Sequence, residues 1–458
     1  MTQQNRDESN NLIANFLKLL FASLDETGLG YCVLRNYDEM PEGIGNDIDM
    51  LVHQRELKQF EKILKDIANR QSWVLLKSPK RYGYQSYWFY HEGGQQYVHF
   101  DAFTRINWKG MDLIDAVTVL ASKETLRQFY IPDPVDEAFI SFTKDLIHGE
   151  GIKERYYSQI TDAVIEYPDK FFAHLKWAVG KPLAETLMRL IHSAEWLTIE
   201  AKRSQIQQAL FMQRFKHNPL AFCMGAFQFL IIHFRCWLTT PNGIFIALIG
   251  PDGSGKSTVS DRLIESLDGL FPATQYYHGR FDIIPDLRTY LNALRKVTGR
   301  KKLPPVAGGV DAVHKLDTFS RGRALLYLCY YCFDFILGYG KVFYCKATGR
   351  LMIFDRYYYD YFVMDHFSRL PQFIFKTLRF LLPEPDLVIY LKNTPETIHQ
   401  RKPELTVDQI TRQNRACDNI VASLPYAISI VTDMPAEKVV EEIKKEIIHL
   451  MAKRWSIK

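Results

Sequence analysis

The chain has 458 residues, which at about 150 residues per domain predicts two or three domains. Hydrophobic residues make up 47% of it and charged residues 24%, so a sizeable core can form and extensive disorder is excluded. The formal net charge of +5 is too small for a protein that acts mainly by neutralising a nucleic-acid backbone. We therefore expect no nucleic-acid partner.

The seven cysteines are scattered along the chain, and only Cys329 and Cys332 form a C-x-x-C pair. Without a second pair at zinc-ribbon spacing, this pattern favours buried thiols over a disulfide framework or a metal site. The polar N-terminus, MTQQNRDESNN, lacks the basic flank and apolar centre of a signal peptide. We therefore expect a cytoplasmic protein.

Residues 1–105 mix short apolar runs with Gly, Pro and Asn breaks, which predicts a small α+β domain. Residues 106–240 have helical spacing and predict a helical accessory domain. One of its helices contains Val135, Phe139 and Leu146 at that spacing and is predicted to end at Gly149. The strands predicted in the first domain are 31–34, 48–52, 73–76 and 97–100.

Residues 241–458 alternate strand and helix patterns, which predicts a doubly wound α/β domain with a parallel sheet. The continuous apolar run at 244–249 is typical of a strand that is buried on both faces. Further strands are predicted at 351–354, 386–391 and 427–431.

Residues 219–238 are apolar over nearly the length of a membrane span. They contain polar side chains whose burial in a bilayer would cost several kcal/mol, so we expect a buried helix here. These side chains are Gln228, His233 and Arg235. The preceding Arg214, Lys216 and His217 leave a peripheral membrane contact open.

The sharpest motif is G-P-D-G-S-G-K-S-T at residues 250–258, directly after the predicted strand 244–249. Its glycines allow backbone amides to converge on phosphate oxygens, and the following helix adds the partial positive charge of its N-terminus. In such a loop Lys256 reaches the β and γ phosphates and Ser257 supplies a ligand to Mg²⁺. The motif therefore predicts ATP and Mg²⁺ binding. The predicted binding residues are Gly250, Gly253, Ser254, Gly255, Lys256, Ser257 and Thr258.

Asp355 ends the apolar run at 351–354, and Arg356 follows it. A carboxylate in this position can hold Mg²⁺ or its water shell, and Arg356 would face the transferred phosphate. Ligands of open α/β sheets bind at the carboxyl ends of the strands, so we expect this pair to lie beside the glycine loop.

With these motifs, residues 243–458 resemble the thymidylate kinase-like P-loop kinases. The resemblance rests on the glycine loop, on Asp355-Arg356-Tyr357 and on the strand pattern at 385–391. It implies Mg²⁺-dependent phosphoryl transfer from ATP to a small-molecule acceptor, with Asp252, Asp355 and Arg356 contacting the acceptor or the metal. Residues 394–405 resemble the entrance to that family's lid. The residues implied to close over the ATP phosphates are Arg401, Lys402, Arg412 and Arg415.

The acceptor side departs from the family pattern, because Ile249 replaces the usual acid before the loop and residues 276–280 replace an Arg-Glu-Pro type sequence. A nucleoside monophosphate, a sugar and a polyol therefore stay open as acceptors. A phosphate acceptor needs no strong base, whereas a hydroxyl acceptor would use one. The candidate bases are Asp355, Asp360 and His278.

Asp47 and Asp49 are two residues apart, so both point to the same face of a predicted strand. A divalent cation would relieve their mutual repulsion and orient a nucleoside triphosphate. Asp101, on a later strand, could complete the metal site. The three acids resemble the D-x-D and third acid of polymerase-beta-like nucleotidyltransferases, which implies a possible second activity. Where that family commonly has a Gly-Gly or Gly-Ser pair the chain has Arg35-Asn36, and Arg35 could itself bind phosphate.

As a whole, the chain resembles two-part proteins of bacterial surface-polysaccharide gene clusters, which implies a sugar, polyol or glycan-linked acceptor. A small-molecule kinase is the leading interpretation. The alternative is an ATP-binding switch or scaffold at a membrane-associated glycan assembly complex, and the basic and apolar segment 214–238 motivates it.

Overall fold

The structure, a computed structural model, describes residues 3–43, 47–93, 96–149, 151–239, 242–285, 296, 320–364, 367 and 369–456. Its contacts divide the chain into two compact units. The first comprises Met1–Cys236 together with Met451–Lys458, and the second comprises Trp237–Leu450. Each unit has an apolar core of its own.

The first unit begins with a mixed sheet in the order β1–β2–β6–β5–β3, with β4 paired to β5 and with β2 parallel to β6. Successive residues of a strand point to opposite faces. Met50 accordingly packs in the core that contains α1 and α2, whereas Leu51 joins the core on the other face. The strands β1–β6 are Tyr31–Val33, Ile48–Val52, Trp73–Lys77, Lys80–Arg81, Tyr84–His91 and Gln96–Phe103, and the helices α1 and α2 are Gln3–Glu26 and Leu57–Arg70.

The rest of the first unit is mainly helical. As predicted, α4 ends at Gly149, whose φ of 100° suits a glycine, and the Asp133 side chain caps its start. The short strands β7–β10 are Ile106–Trp108, Met111–Ile114, Glu124–Leu126 and Phe129–Ile131. The helices α3–α10 are Ala116–Ala121, Pro134–His148, Tyr157–Glu166, Pro168–Val179, Lys181–His192, Trp196–Ala201, Arg203–His217 and Pro219–Thr239.

The second unit contains a parallel sheet in the order β12–β13–β11–β14–β15. Its central strand β11 is buried along its whole length, as its continuous apolar sequence predicts. The strands β11–β15 are Ile244–Ile249, Thr274–His278, Leu351–Asp355, Leu387–Lys392 and Ala427–Val431. The helices α11–α17 are Lys256–Ser266, Arg321–Leu337, Tyr339–Ala347, Gln372–Arg379, Pro395–Arg401, Val407–Ser423 and Ala436–Ser456.

The sheet order fixes where ligands can enter the second unit. β12 and β13 lie on one side of β11, and β14 and β15 lie on the other side. The chain therefore changes sides next to β11, and such a switch point leaves a crevice at the carboxyl ends of the strands. Leu248 of β11 is in register with Asp355 of β13, so the segments that follow these two strands lie at the same edge.

Two features of the first unit differ from the predictions. Residues 106–240 include the strands β7–β10, because runs of three or four residues are too short to show a clear period of two. The predicted boundary at residue 105 does not separate two compact units. One apolar core contains Cys32 and Leu51 of the sheet together with Phe139 and Phe142 of α4.

The prediction of a buried helix at 219–238 is wrong. Among the described residues, α10 is the helix long and apolar enough to cross a membrane, and only 11% of that stretch is buried. The prediction of buried thiols holds for Cys332 and fails for Cys329, which is exposed, and all seven cysteines are free. The reason is the same for the helix at 219–238 and for the cysteine pair. Helical spacing identifies apolar residues, but it does not show which of them are covered by another element.

Helix α10 is fixed to the first unit through Gly225. A Cβ there would lie 2.6 Å from the carbonyl oxygen of Gly110, in the turn between β7 and β8, which is closer than real contacts allow. We expect Gly225→Ala to lower the free energy of unfolding by about 1–3 kcal/mol, measured by urea denaturation. Gly340→Ala is the matched control, because a Cβ at that helical position meets nothing within 4 Å. Equal stability of both variants would contradict this packing.

Candidate functional site

The loop after β11 has the backbone of a phosphate-binding loop. Gly250, Gly253 and Gly255 have φ angles of 147°, 90° and 96°, which L-residues rarely adopt. A Cβ at Gly250 would lie 3.0 Å from the carbonyl oxygen of Leu391, so the close packing also requires glycine. Helix α11 begins at Lys256, and its first N–H groups have no partner within the helix. The loop can therefore cradle an anion.

Three cations gather around one carboxylate at this loop. The buried Lys256 ammonium donates to the carbonyl oxygen of Gly250 at 2.7 Å. It also lies 3.9 Å from Oδ1 of Asp252, the oxygen that accepts a hydrogen bond from Arg356. Oδ2 of Asp252 lies 3.9 Å from Nζ of Lys402. Lysine and arginine side chains gathered at a glycine loop suit a phosphate.

Asp355 lies beside the loop and is buried. Its Oδ2 accepts a hydrogen bond from the Tyr276 hydroxyl at 3.1 Å and lies 3.4 Å from Nδ1 of His278, the residue in register with it on β12. Its Oδ1 has no hydrogen-bond partner in the described part of the chain. Burial raises the pKa of Asp355, but the hydrogen bond with His278 and the charge of Lys256 outweigh burial and hold the pKa below its usual value. The ionised carboxylate suits a cation.

Arg356 has a φ of 62°, a backbone conformation that is uncommon outside glycine. Its N–H donates to the carbonyl oxygen of Leu248 at 3.2 Å, and its buried guanidinium pairs with Asp252. These contacts hold the chain in the unfavourable conformation. The turn thus directs the arginine towards the glycine loop, as its place after Asp355 predicts.

A cavity of about 500 Å³ lies in front of the loop, within the usual size range of small-molecule sites. Loop residues 252–258, Asp355, Arg356 and His278 line it. Arg401, whose guanidinium also donates to the Thr432 carbonyl oxygen at 3.2 Å, lines it from the end of α15. The lining combines cationic side chains with less polar residues. The less polar lining residues are Thr432, Met434, Ala436 and Val439.

The structure separates the four predicted lid residues into two pairs. Arg401 and Lys402 line the cavity, and closure of these two side chains over the ATP phosphates stays a prediction. Arg412 and Arg415 are exposed on α16 and are absent from the described residues that line the cavity. A contact of Arg412 and Arg415 with ATP therefore stays a prediction.

The residues at the loop fit a nucleoside triphosphate with Mg²⁺. Ser254 Oγ and Asp355 Oδ1 are buried polar atoms with no hydrogen-bond partner among the described residues, and such atoms commonly mark a ligand site. Ser257 and Thr258, in the first turn of α11, also line the cavity. Ser257 and Asp355 are the residues that would hold Mg²⁺, and Lys256 would contact the phosphates.

A second group of polar residues lies on the sheet of the first unit. One potential ligand atom from each of Asp47, His99 and Asp101 lies within 4.8 Å of the other two. His99 Nε2 is 3.1 Å from Asp101 Oδ1, which also accepts a hydrogen bond from the Ser86 hydroxyl. Trp88 stacks on His99 with 3.9 Å between ring centroids, which restricts the imidazole. Two carboxylates and an imidazole at this spacing fit one divalent cation.

Asp49 lies in register with Asp101 but is held by two cations. Its Oδ2 accepts from Nε of Arg35 at 2.7 Å and from Nζ of Lys144 at 2.8 Å. Burial raises the pKa of Asp49, yet the charges of Lys144 and Arg35 outweigh burial and lower the pKa below its usual value. Burial and the charge of Asp49 raise the pKa of Asp47. A metal-ligand role for Asp49 stays a prediction, since Arg35 and Lys144 already compensate its charge.

Some residues of both sites lie outside the predicted set. His99 precedes Asp101 by two residues on β6, so the H-x-D spacing already places both on one face. Lys144 is 95 residues from Asp49 and Tyr276 is 79 residues from Asp355, and no local pattern indicates these two contacts.

A second cavity, of about 530 Å³, adjoins Asp101. Asp101 is the one acid among its described lining residues, against four Lys and Arg residues and two histidines. Aromatic rings complete the lining, which suits an anionic ligand with a planar or apolar part. The cationic and imidazole side chains are Arg81, Arg105, Lys109, Lys144, His148 and His233, and the aromatic ones are Tyr82, Tyr84, Phe103, Trp108 and Phe229.

No protein-family model matches the chain, and no curated protein matches it. Similar solved structures include a thymidylate kinase from Ehrlichia chaffeensis, which is 18% identical over 44% of this chain and 96% of that chain, with a TM-score of 0.30. The second unit is a P-loop α/β domain by its own geometry, which is a glycine loop between β11 and α11 at the edge of a parallel sheet.

Asp360 is a buried acid near both Lys256 and Asp355. Burial and the charges of Asp355 and Asp252 raise its pKa to about 7, although Lys256 and Arg356 oppose the shift. The folded chain therefore binds this proton more tightly than the unfolded chain does. Linkage requires the free energy of unfolding to fall as the pH rises from about 4 to about 7 and then to level off.

We expect Asp360→Asn to remove this fall, which amounts to about 1 kcal/mol per pH unit. The measurement is urea denaturation of the full chain between about pH 5 and pH 8. Asp408→Asn, at an exposed position of α16, is the matched control and should keep the wild-type slope. If wild type and Asp360→Asn show parallel profiles, the raised pKa is refuted.

Proposed function

We propose that the second unit transfers the γ-phosphoryl group of ATP to a small-molecule acceptor with the help of Mg²⁺. The observation that carries the proposal is the arrangement of the glycine loop, Lys256 and Arg356 around the ionised Asp355 at one edge of the parallel sheet. The lining of the cavity includes cationic side chains that suit the phosphates and less polar residues that suit a base. This arrangement supports phosphoryl transfer because the reaction depends mainly on positioning and charge stabilisation.

In the proposed reaction an acceptor oxygen attacks the γ-phosphorus, the bond to the β–γ bridging oxygen breaks, and ADP leaves. Lys256 releases the Gly250 carbonyl oxygen and turns to the phosphates, and Arg356 and Arg401 compensate the charge that develops on the transferred group. Mg²⁺, when held by Ser257 and Asp355, neutralises charge on the phosphate oxygens.

The pairing of His278 with Asp355 supports a hydroxyl acceptor, such as a sugar or polyol, over a phosphate. A carboxylate that orients an imidazole favours removal of a hydroxyl proton as the oxygen attacks. Tyr276 holds the same carboxylate from the side of β12. We propose His278 as the group that accepts this proton. A glycan-linked acceptor, as the resemblance to surface-polysaccharide proteins implies, belongs to the same class.

We expect Lys256→Ala to lower phosphoryl transfer by roughly 100-fold or more, because the phosphates lose their charged donor. The measurement is transfer of labelled γ-phosphate from ATP to a panel of nucleoside monophosphates, sugars, polyols and glycan extracts. Lys445→Ala, at an exposed position of α17, is the matched control and should keep full activity. Full activity in Lys256→Ala would refute the kinase assignment.

The same panel tests the alternative of an ATP-binding switch or scaffold. A switch would bind ATP, label no acceptor and change its association with a membrane fraction when ATP is added. A kinase would label an acceptor whether or not membranes are present.

For the first unit we propose metal-dependent nucleotidyl transfer as a second function. The observation that favours it is the group Asp47, His99 and Asp101 at the edge of a cavity with a cationic lining. Asp101 connects the two features, since it belongs to the group and also lines the cavity. An acidic metal site next to cationic side chains suits a nucleoside triphosphate, whose phosphates contact both.

We expect Asp47→Asn and His99→Gln each to weaken binding of Mn²⁺ to the first unit by at least about 10-fold and to reduce metal-dependent transfer of an α-labelled nucleotide. Titration by electron paramagnetic resonance measures the binding. The background is Lys256→Ala, so that transfer by the second unit does not contribute. Asp66→Asn, at an exposed position of α2, is the control. Unchanged Mn²⁺ affinity in both variants would assign a structural role to these residues.

A further inference from the structure

Helices α9 and α10 present an apolar surface that the rest of the first unit leaves uncovered. On α10, large apolar side chains recur every three or four residues and so form one stripe about 20 Å long. They are Leu220, Met224, Phe227, Leu230 and Phe234, with 79%, 61%, 64%, 63% and 60% of their surface exposed. Phe211, Met212 and Phe215 of α9 are exposed as well. We call these eight residues the α9–α10 surface.

The opposite face of α10 is fixed to the first unit. Gly225 packs closely against Gly110. Phe229 meets the Tyr82 ring edge-on at 6.2 Å between centroids, and the thiol of Cys236 donates to the carbonyl oxygen of Lys80. The helix therefore cannot be surrounded by lipid on all sides without losing these contacts. Its stripe faces outward along one side only, which is the geometry of a helix that lies in a membrane interface and does not cross it.

The charges around the surface have one sign. Residues 201–251 contain no Asp or Glu but five Lys and Arg residues. Lys216 and His217 are exposed at the turn between α9 and α10, and Arg235 is exposed beside the stripe. Arg214 points inward, because its guanidinium lies over the Trp177 ring at 3.0 Å from the centroid. The outward cations next to the apolar stripe complement a surface that is apolar inside and negatively charged outside.

We propose that the α9–α10 surface docks on a phospholipid bilayer that contains anionic lipids. The apolar stripe would enter the region between the head groups and the acyl chains, and Lys216 and Arg235 would contact lipid phosphates. A second copy of the chain fits less well as an occupant. A symmetric contact would bring the same cations together, with no acid on α9 or α10 to pair with them.

The test is co-sedimentation of the full-length protein with vesicles of phosphatidylcholine alone or of phosphatidylcholine with phosphatidylglycerol. We expect binding to the anionic vesicles, weakened but not abolished by salt. The double variant Phe227→Ser with Phe234→Ser should lower the partition coefficient by about 30-fold, because two rings no longer enter the apolar layer. Phe373→Ser with Phe380→Ser is the matched control, since these rings are equally exposed on and after α14. It should bind as the wild type does.

The binding of a fluorescent ATP analogue and the melting temperature show that the variants fold. Equal partitioning of both double variants, or no binding to anionic vesicles, would overturn the proposal. Light scattering without lipid tests the other occupant. A wild-type dimer that Phe227→Ser with Phe234→Ser converts to a monomer would assign the surface to a second copy and also overturn the proposal. The assay does not depend on phosphoryl transfer, so it stands apart from the proposed kinase function.

Discussion

The parallel pairing of β11 with β13 is the constraint on which the rest of the second unit depends. It sets Leu248 opposite Asp355, and the glycine loop begins two residues after Leu248. Backbone hydrogen bonds in the core therefore fix the distance between the loop and the carboxylate. Because these bonds exist before a ligand binds, binding does not have to bring the two groups together. The pairing of β11 with β13 also positions Arg356, because the backbone N–H of Arg356 donates a hydrogen bond to the carbonyl oxygen of Leu248. Flexible loops alone would hold these groups less accurately.

Each unit contains a buried carboxylate, and the charges of these two carboxylates are compensated in different ways. Asp355 and Asp49 are both almost fully buried and both have a lowered pKa. Asp49 is compensated by direct contact with Arg35 and Lys144. Asp355 is compensated by hydrogen bonds with His278 and Tyr276 and by the nearby charge of Lys256. Oδ1 of both carboxylates has no hydrogen-bond partner in the described chain. Asp49 already contacts two cations, so the charge of a further cation is less favourable beside Asp49 than beside Asp355.

Helix α10 has one tightly packed face and one exposed apolar face. One face is packed against the β7–β8 hairpin through glycine, and another exposes large apolar side chains to the surroundings. Exposed apolar stripes of this length are rare on monomeric proteins because they favour association. The inner face also supplies Phe229 and His233 to the cavity beside Asp101. Docking of α10 on a bilayer and ligand binding in that cavity would therefore involve the same helix.

The sequence by itself determined the elements whose signal is local. The buried strand β11, the glycine loop after it and the cap of α4 at Gly149 follow from short apolar runs and from the backbone freedom of glycine. The order of motifs along the chain also predicted that Asp355 and the loop share one edge, because parallel strands present their carboxyl ends together.

Only the tertiary structure decided which partners these residues meet. It paired Asp49 with Arg35 and Lys144, brought His99 to Asp47, placed Arg412 outside the cavity and left α10 uncovered. The physical reason is the same in each case. Periodicity fixes the face on which a side chain lies. Its charge balance and burial depend on distant elements, as Lys144 is 95 residues from Asp49, and no local pattern contains that information.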